Sequence, residues 1–187
     1  MSLTEIPQHV RTLIEEETKA TFYDALEQTS PQKRCLHWAI AAEEVIFNQG
    51  LRACINAGTA NWKANDRPAP YPTHVGHFWQ GLGQQTICDL FLKRGILPEM
   101  HCWIAFPDEQ VIFDPTTAWL KDLAEEQGIP WTEPDPPESL WCDVDSLPDG
   151  WMYVANRSAT MLAYQLLSGA RAAHGGLSKP RSIAVMQ

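Results

Sequence analysis

The sequence predicts an α+β domain, with a buried helix packed on an antiparallel sheet and flanked by additional helices. Three features predict it. Segments of helical period gather towards the two ends and strand-like segments in the middle, without regular βαβ alternation. Residues 35–50, CLHWAIAAEEVIFNQG, are apolar almost all the way round apart from Glu43 and Glu44, as in a helix buried on most sides. Residues 101–117, HCWIAFPDEQVIFDPTT, read as a short hairpin. With 187 residues the chain is of single-domain size. We expect one domain over 1–187, with its core at about 30–118.

Val10, Leu13, Ile14, Phe22, Ala25 and Leu26 lie close to helical spacing in a charged background, so a helix is expected over about 5–28. Thr29-Ser30-Pro31-Gln32 matches a capping box ahead of the buried helix, which stops at Gly50. LRACINAGTANW (51–62) reads as a strand, KANDRPAPYP as a proline-rich loop, and HVGHFW (74–79) as a second strand. QQTICDLFLKRG fits a short helix or a strand. After the hairpin, TAWLKDLAEEQG reads as a helix closed by Gly128. Residues 130–150, rich in proline and acidic side chains, read as a loop. WMYVA is strand-like, and a C-terminal helix is expected over about 156–173, followed by a loose tail.

Composition narrows the function. Hydrophobic residues make up 44% and charged residues 20%, as in a globular protein. Against 14 Lys and Arg stand 23 Asp and Glu, a formal charge of −9. No basic stripe is present to displace counterions from phosphates, which disfavours nucleic acid and anionic membranes as partners. The N-terminus lacks the pattern of an export signal, and no apolar run is long enough to span a bilayer. Cysteines at 35, 54, 88, 102 and 142 form no C-x-x-C pair and are odd in number, as expected for reduced thiols in a cytoplasm. No metal or other cofactor is expected. In His74-Val-Gly-His77 a strand would turn the two imidazoles to opposite faces.

The hairpin carries the chemistry. A turn at Pro107–Gln110 pairs Phe106 with Val111 and sets Trp103 opposite Asp114, which leaves His101 diagonal to Asp114 on the same face. An aspartate in reach of a histidine fixes its tautomer and stabilises its charged form. The competing reading is that Asp114 caps the Asp-Pro-Thr-Thr turn. Cys102 points to the other face from His101 and is a poor nucleophile candidate. Cys35, opening the buried helix, is the better one, because a helix N-terminus and a nearby His⁺ both favour thiolate.

Cys35 on a buried helix, GLRACINAG after it, then HCWIAF and VIFDPTT, resembles the transglutaminase-like superfamily of papain-type cysteine enzymes. The resemblance spans about residues 30–118. It implies a papain/transglutaminase-like core, with Cys35 as nucleophile, His101 as general base and acid, and Asp114 orienting His101. It further implies a thioester acyl-enzyme and a peptide or protein amide as substrate, with hydrolysis and acyl transfer both open. Gln28 and Gln32 are oxyanion candidates, and Trp79 and Trp103 are candidates for a substrate groove. The context Arg34-Cys35-Leu36-His37-Trp38 departs from the family's small residue before the cysteine. A catalytically silent binding module is therefore the alternative.

Overall fold

Strand β1 (Cys54–Lys63) organises the sheet in the computed structural model, which describes residues 6–25, 35–79, 99–108 and 110–173. Helices α1 (Gln8–Ala25) and α2 (Cys35–Asn48) precede it. Strands β2 (His74–His77), β3 (His101–Phe106) and β4 (Val111–Asp114) follow. A 3-10 turn (Thr117–Trp119) then runs into α3 (Leu120–Glu126), and β5 (Leu140–Asp143), β6 (Met152–Ala155) and α4 (Arg157–Ala173) complete the order. The fold is α+β, and every strand pairing among the described residues is antiparallel.

The pairing path runs β2-β1-β3-β4-β5, and β6 also pairs β1. Gly58 pairs with both His101 and Ala155, and Ala60 with both His77 and Tyr153. A strand has two edges, so β3 and β2 follow each other along one edge of β1 while β6 takes the other. A Cβ on Gly58 would lie 2.1 Å from the Val154 carbonyl oxygen, so a glycine is what lets β6 close on β1 there. Beyond the reach of β6, α4 satisfies the remaining edge of β1. Thr160 Oγ1 accepts from Ala57 N at 3.0 Å, and Tyr164 Oη accepts from Ile55 N at 3.0 Å. The helix itself begins on Asn156, whose Oδ1 accepts from Ser158 N at 2.9 Å and Ala159 N at 3.2 Å.

Strand alternation divides the core. One face carries Ile55, Ile104, Phe106 and Phe113 and packs against Ala39, Ala42 and Ile46 of α2 and Leu162 of α4. Trp62 and Val75 on the other face pack against Leu120 and Leu123 of α3. The hairpin register is the expected one, with Ile104 facing Phe113 and Phe106 facing Val111. Among the described residues, no helix is long and apolar enough to cross a membrane.

Residues 130–150 are not loop throughout. They contain β5 and a 3-10 turn at Val144–Ser146. Leu140 and Cys142 are buried in alternation with half-buried Trp141 and Asp143, and the strand pairs β4. Prolines and acidic side chains on both sides mask a period only four residues long. The expected capping box, Gln28, Gln32, the ambiguous segment 84–95, Cys88 and the tail beyond 173 lie outside the described residues.

Candidate active site

The site forms where the described start of α2 meets the beginning of β3. His101 is the first residue of its strand, and Cys35 the first described residue of its helix. The Cys35 thiol points at the Met100 carbonyl oxygen, 3.7 Å away. His101 Nε2 lies 2.8 Å from Asp114 Oδ2. His101 Nδ1 is fully buried and makes no aligned hydrogen bond, and Cys35 is within hydrogen-bonding range of this ring. Three groups far apart in the chain are thus brought together at His101, which meets Asp114 through Nε2 and interacts with Cys35.

Asp114 divides its oxygens. Oδ1 accepts from Thr116 N at 2.9 Å and Thr116 Oγ1 at 2.6 Å, which is the turn-capping role. Oδ2 accepts from His101 and from Tyr153 Oη, the latter at 2.7 Å. The two readings of Asp114 are both present in one side chain. Four donors fill the acceptor sites of a carboxylate, so the group is held as an anion. Burial opposes that charge, but His101, Thr116 and Tyr153 together keep the carboxyl below its ordinary range.

Around the imidazole the walls are aromatic. Trp62 meets His101 edge-on at 5.0 Å between ring centroids, and Trp103 stacks on it at 6.1 Å. His77, from the end of β2, lies parallel to His101 at 5.8 Å. Trp103 is 2% exposed and forms part of this buried wall. Trp79 is half-buried against the α2 side of the core, its backbone N–H donating to Thr59 Oγ1 at 3.1 Å. His74 leaves β2 on the side opposite to His77, with its Nδ1 2.9 Å from Thr73 Oγ1. A void of about 10 Å³ between Trp62, His77, His101 and Thr116 has room for about one water molecule. The larger hollow, about 410 Å³ over α3 and Gly128–Trp131, holds none of these groups. The chemistry, not cavity size, locates the site.

Proton affinities distinguish the described thiols. Burial resists a charge on His101, but the Asp114 carboxylate, its hydrogen bond and Cys35 outweigh it and push the imidazole up to about 10. Cys35 is held well below the ordinary thiol range, first by a hydrogen bond from Cys102 and then, against burial, by His101 and His77. Cys102 is pushed well up by that same hydrogen bond, by burial and by Asp114. The charges around the two thiols differ: positive His101 acts on Cys35, negative Asp114 on Cys102. Burial and Glu43 push Cys54 up to about 11, and burial and Asp143 raise Cys142. Of the described thiols, Cys35 alone is lowered. Cys102 faces away from His101 as expected, yet it is not remote from the site, because the face it occupies is the one α2 covers.

Sequence reasoning missed Tyr153, Trp62 and Thr116. Thr116 had a signal, the Asp-x-Thr spacing of a side-chain turn. Tyr153 had none, since it stands on a strand that pairs with β1, not with β4. No protein-family model, curated protein or solved structure matches the chain.

Proposed function

We propose that the protein is a cysteine-dependent amide-bond enzyme of the transglutaminase-like kind, a peptidase or amidase-type hydrolase or an acyltransferase. The observation that carries this reading is the enclosed imidazole, with Nε2 on Asp114 and the Cys35 thiol among the groups that interact with it. Thiolate and imidazolium form together when the Cys35 proton passes to His101. The sulfur then attacks the amide carbonyl, and the tetrahedral oxyanion is held by donors that include the Cys35 backbone N–H. Gln28 and Gln32 are candidates for the second donor. Collapse expels the amine, which takes the proton from His101 and leaves a thioester on Cys35. Water or a second amine, deprotonated by His101, resolves that thioester and regenerates the thiol.

One observation favours the silent binding module. Cys35 is 9% exposed and His101 2%, so the groups are enclosed by the fold. A thiol probe separates the two readings. Iodoacetamide at neutral pH, followed by peptide mapping, is expected to label Cys35 first and to lose that label in Cys35→Ala. An inert Cys35 in the folded wild-type protein sinks the enzymatic reading.

A further inference from the structure

Asp114 Oδ2 carries two donors, and only one of them belongs to the three residues just assigned. Tyr153 Oη sits 2.7 Å from the oxygen that His101 Nε2 approaches to 2.8 Å. Trp62 Nε1 donates to Tyr153 Oη at 2.9 Å, which occupies a lone pair of the hydroxyl and turns its proton towards Asp114. We infer that Tyr153 is a positioning residue that sets the proton affinity of His101 by sharing Oδ2 of Asp114, its own hydroxyl being held in line by Trp62.

The carboxylate does not depend on Tyr153 for its orientation, because Thr116 fixes Oδ1 with two bonds. The tyrosine therefore acts on the strength of the remaining oxygen as an acceptor. An oxygen that accepts two hydrogen bonds offers each donor less than one that accepts a single bond. Tyr153 thus tempers the Asp114–His101 pair, which otherwise holds the imidazole's proton more tightly than an acid that must release it to a leaving amine requires. Burial and Asp114 raise the phenol's own proton affinity, so it remains a donor throughout the neutral range. The other titratable groups facing this pair are Cys35 on α2, His77 on β2 with Glu99 beside it, Cys102 on β3 and Cys142 on β5. A substitution at 153 leaves each of these side chains in the sequence.

The inference deepens the proposed function and rests on it for its catalytic meaning, but its test reads His101 directly. In protein carrying ¹⁵N-histidine, Tyr153→Phe is expected to move the His101 Nε2–H proton resonance downfield and to raise the pH at which His101 titrates. 3-Fluorotyrosine at position 153, a stronger donor of the same shape, is expected to move both the other way. It also decides the matter should the phenylalanine variant fail to fold. A purely structural tyrosine lowers the melting temperature without moving the resonance, and an unmoved resonance in the fluorotyrosine protein overturns the inference. Iodoacetamide labelling of the same samples keeps the two claims apart. Labelled Cys35 with an unmoved resonance removes the role of Tyr153 alone. Unlabelled Cys35 removes the enzymatic reading, and the catalytic role of Tyr153 with it.

Discussion

His101 and Asp114 are diagonal neighbours on adjacent antiparallel strands, and their side chains close that gap to 2.8 Å. Diagonal positions stand about 7–8 Å apart, a span that an imidazole and a carboxylate bridge without distorting the sheet. The contact is therefore a property of the hairpin register, and a register error of one residue would turn one partner to the opposite face.

Asp114→Asn tests what the charge contributes. One amide oxygen cannot accept from the four donors now directed at the carboxylate, so a loss of about 1–3 kcal/mol in stability is expected for a buried donor left unmet. Without the negative charge His101 returns towards its ordinary value, and the thiolate–imidazolium pair loses ground to the neutral pair. Under the proposed function, amide-bond activity is expected to fall by on the order of 10²–10⁴. Thermal unfolding and single-turnover rates measured on the variant check both effects.

Cys102→Ala separates the roles of the two adjoining thiols. The hydrogen bond from Cys102 is the first cause of the lowered Cys35 affinity, so its removal is expected to move the acid limb of Cys35 alkylation to higher pH while labelling persists. If Cys102 were itself the nucleophile, labelling would disappear. Mapped iodoacetamide kinetics across pH decide between these outcomes.

The pH dependence of stability follows from the two opposed shifts. His101, raised from 6.5 to about 10, contributes fully below 6.5 and loses its contribution as pH rises through about 10. Cys35, lowered from 9.0, contributes fully above 9.0 and loses its contribution as pH falls through its folded value. Below 9.0, where the folded Cys35 is ionised and the folded His101 protonated, the two slopes oppose each other. The pair's contribution is expected to be level over that overlap and to decline as pH rises from 9.0 through about 10, measured as the difference in melting temperature between wild type and a Cys35→Ala/His101→Gln double variant.

Gly58→Ala is expected to destabilise the protein, because its Cβ would meet the Val154 carbonyl oxygen at 2.1 Å. Displacing β6 also withdraws Tyr153 from Asp114. A cost of about 1–3 kcal/mol is typical where a well-packed interior is forced apart. Denaturant unfolding measures the cost, and the His101 Nε2–H resonance measures the withdrawal.

The hairpin was legible because period-two alternation and a short turn together fix a register, and the register alone carries His101 towards Asp114. The buried character of α2 was legible from its composition. Strand β5 was not, since Leu140–Asp143 is too short for its period to stand out among prolines and acids. Tyr153 was hidden for another reason: 39 residues separate it from Asp114 along the chain, and β1, not a hairpin, mediates their meeting. Cys102 shows the limit of face arguments. Alternation turned it away from the imidazole correctly, but which helix covers that face is decided by tertiary packing.

The charge on the Cys35 sulfur is the claim on which the enzymatic account stands, and the ultraviolet absorbance of the thiolate reads it directly. Titrating wild type and Cys35→Ser and taking the difference is expected to show a thiolate band already present at neutral pH. A band that emerges only as pH approaches the ordinary thiol value of 9.0 would contradict the account.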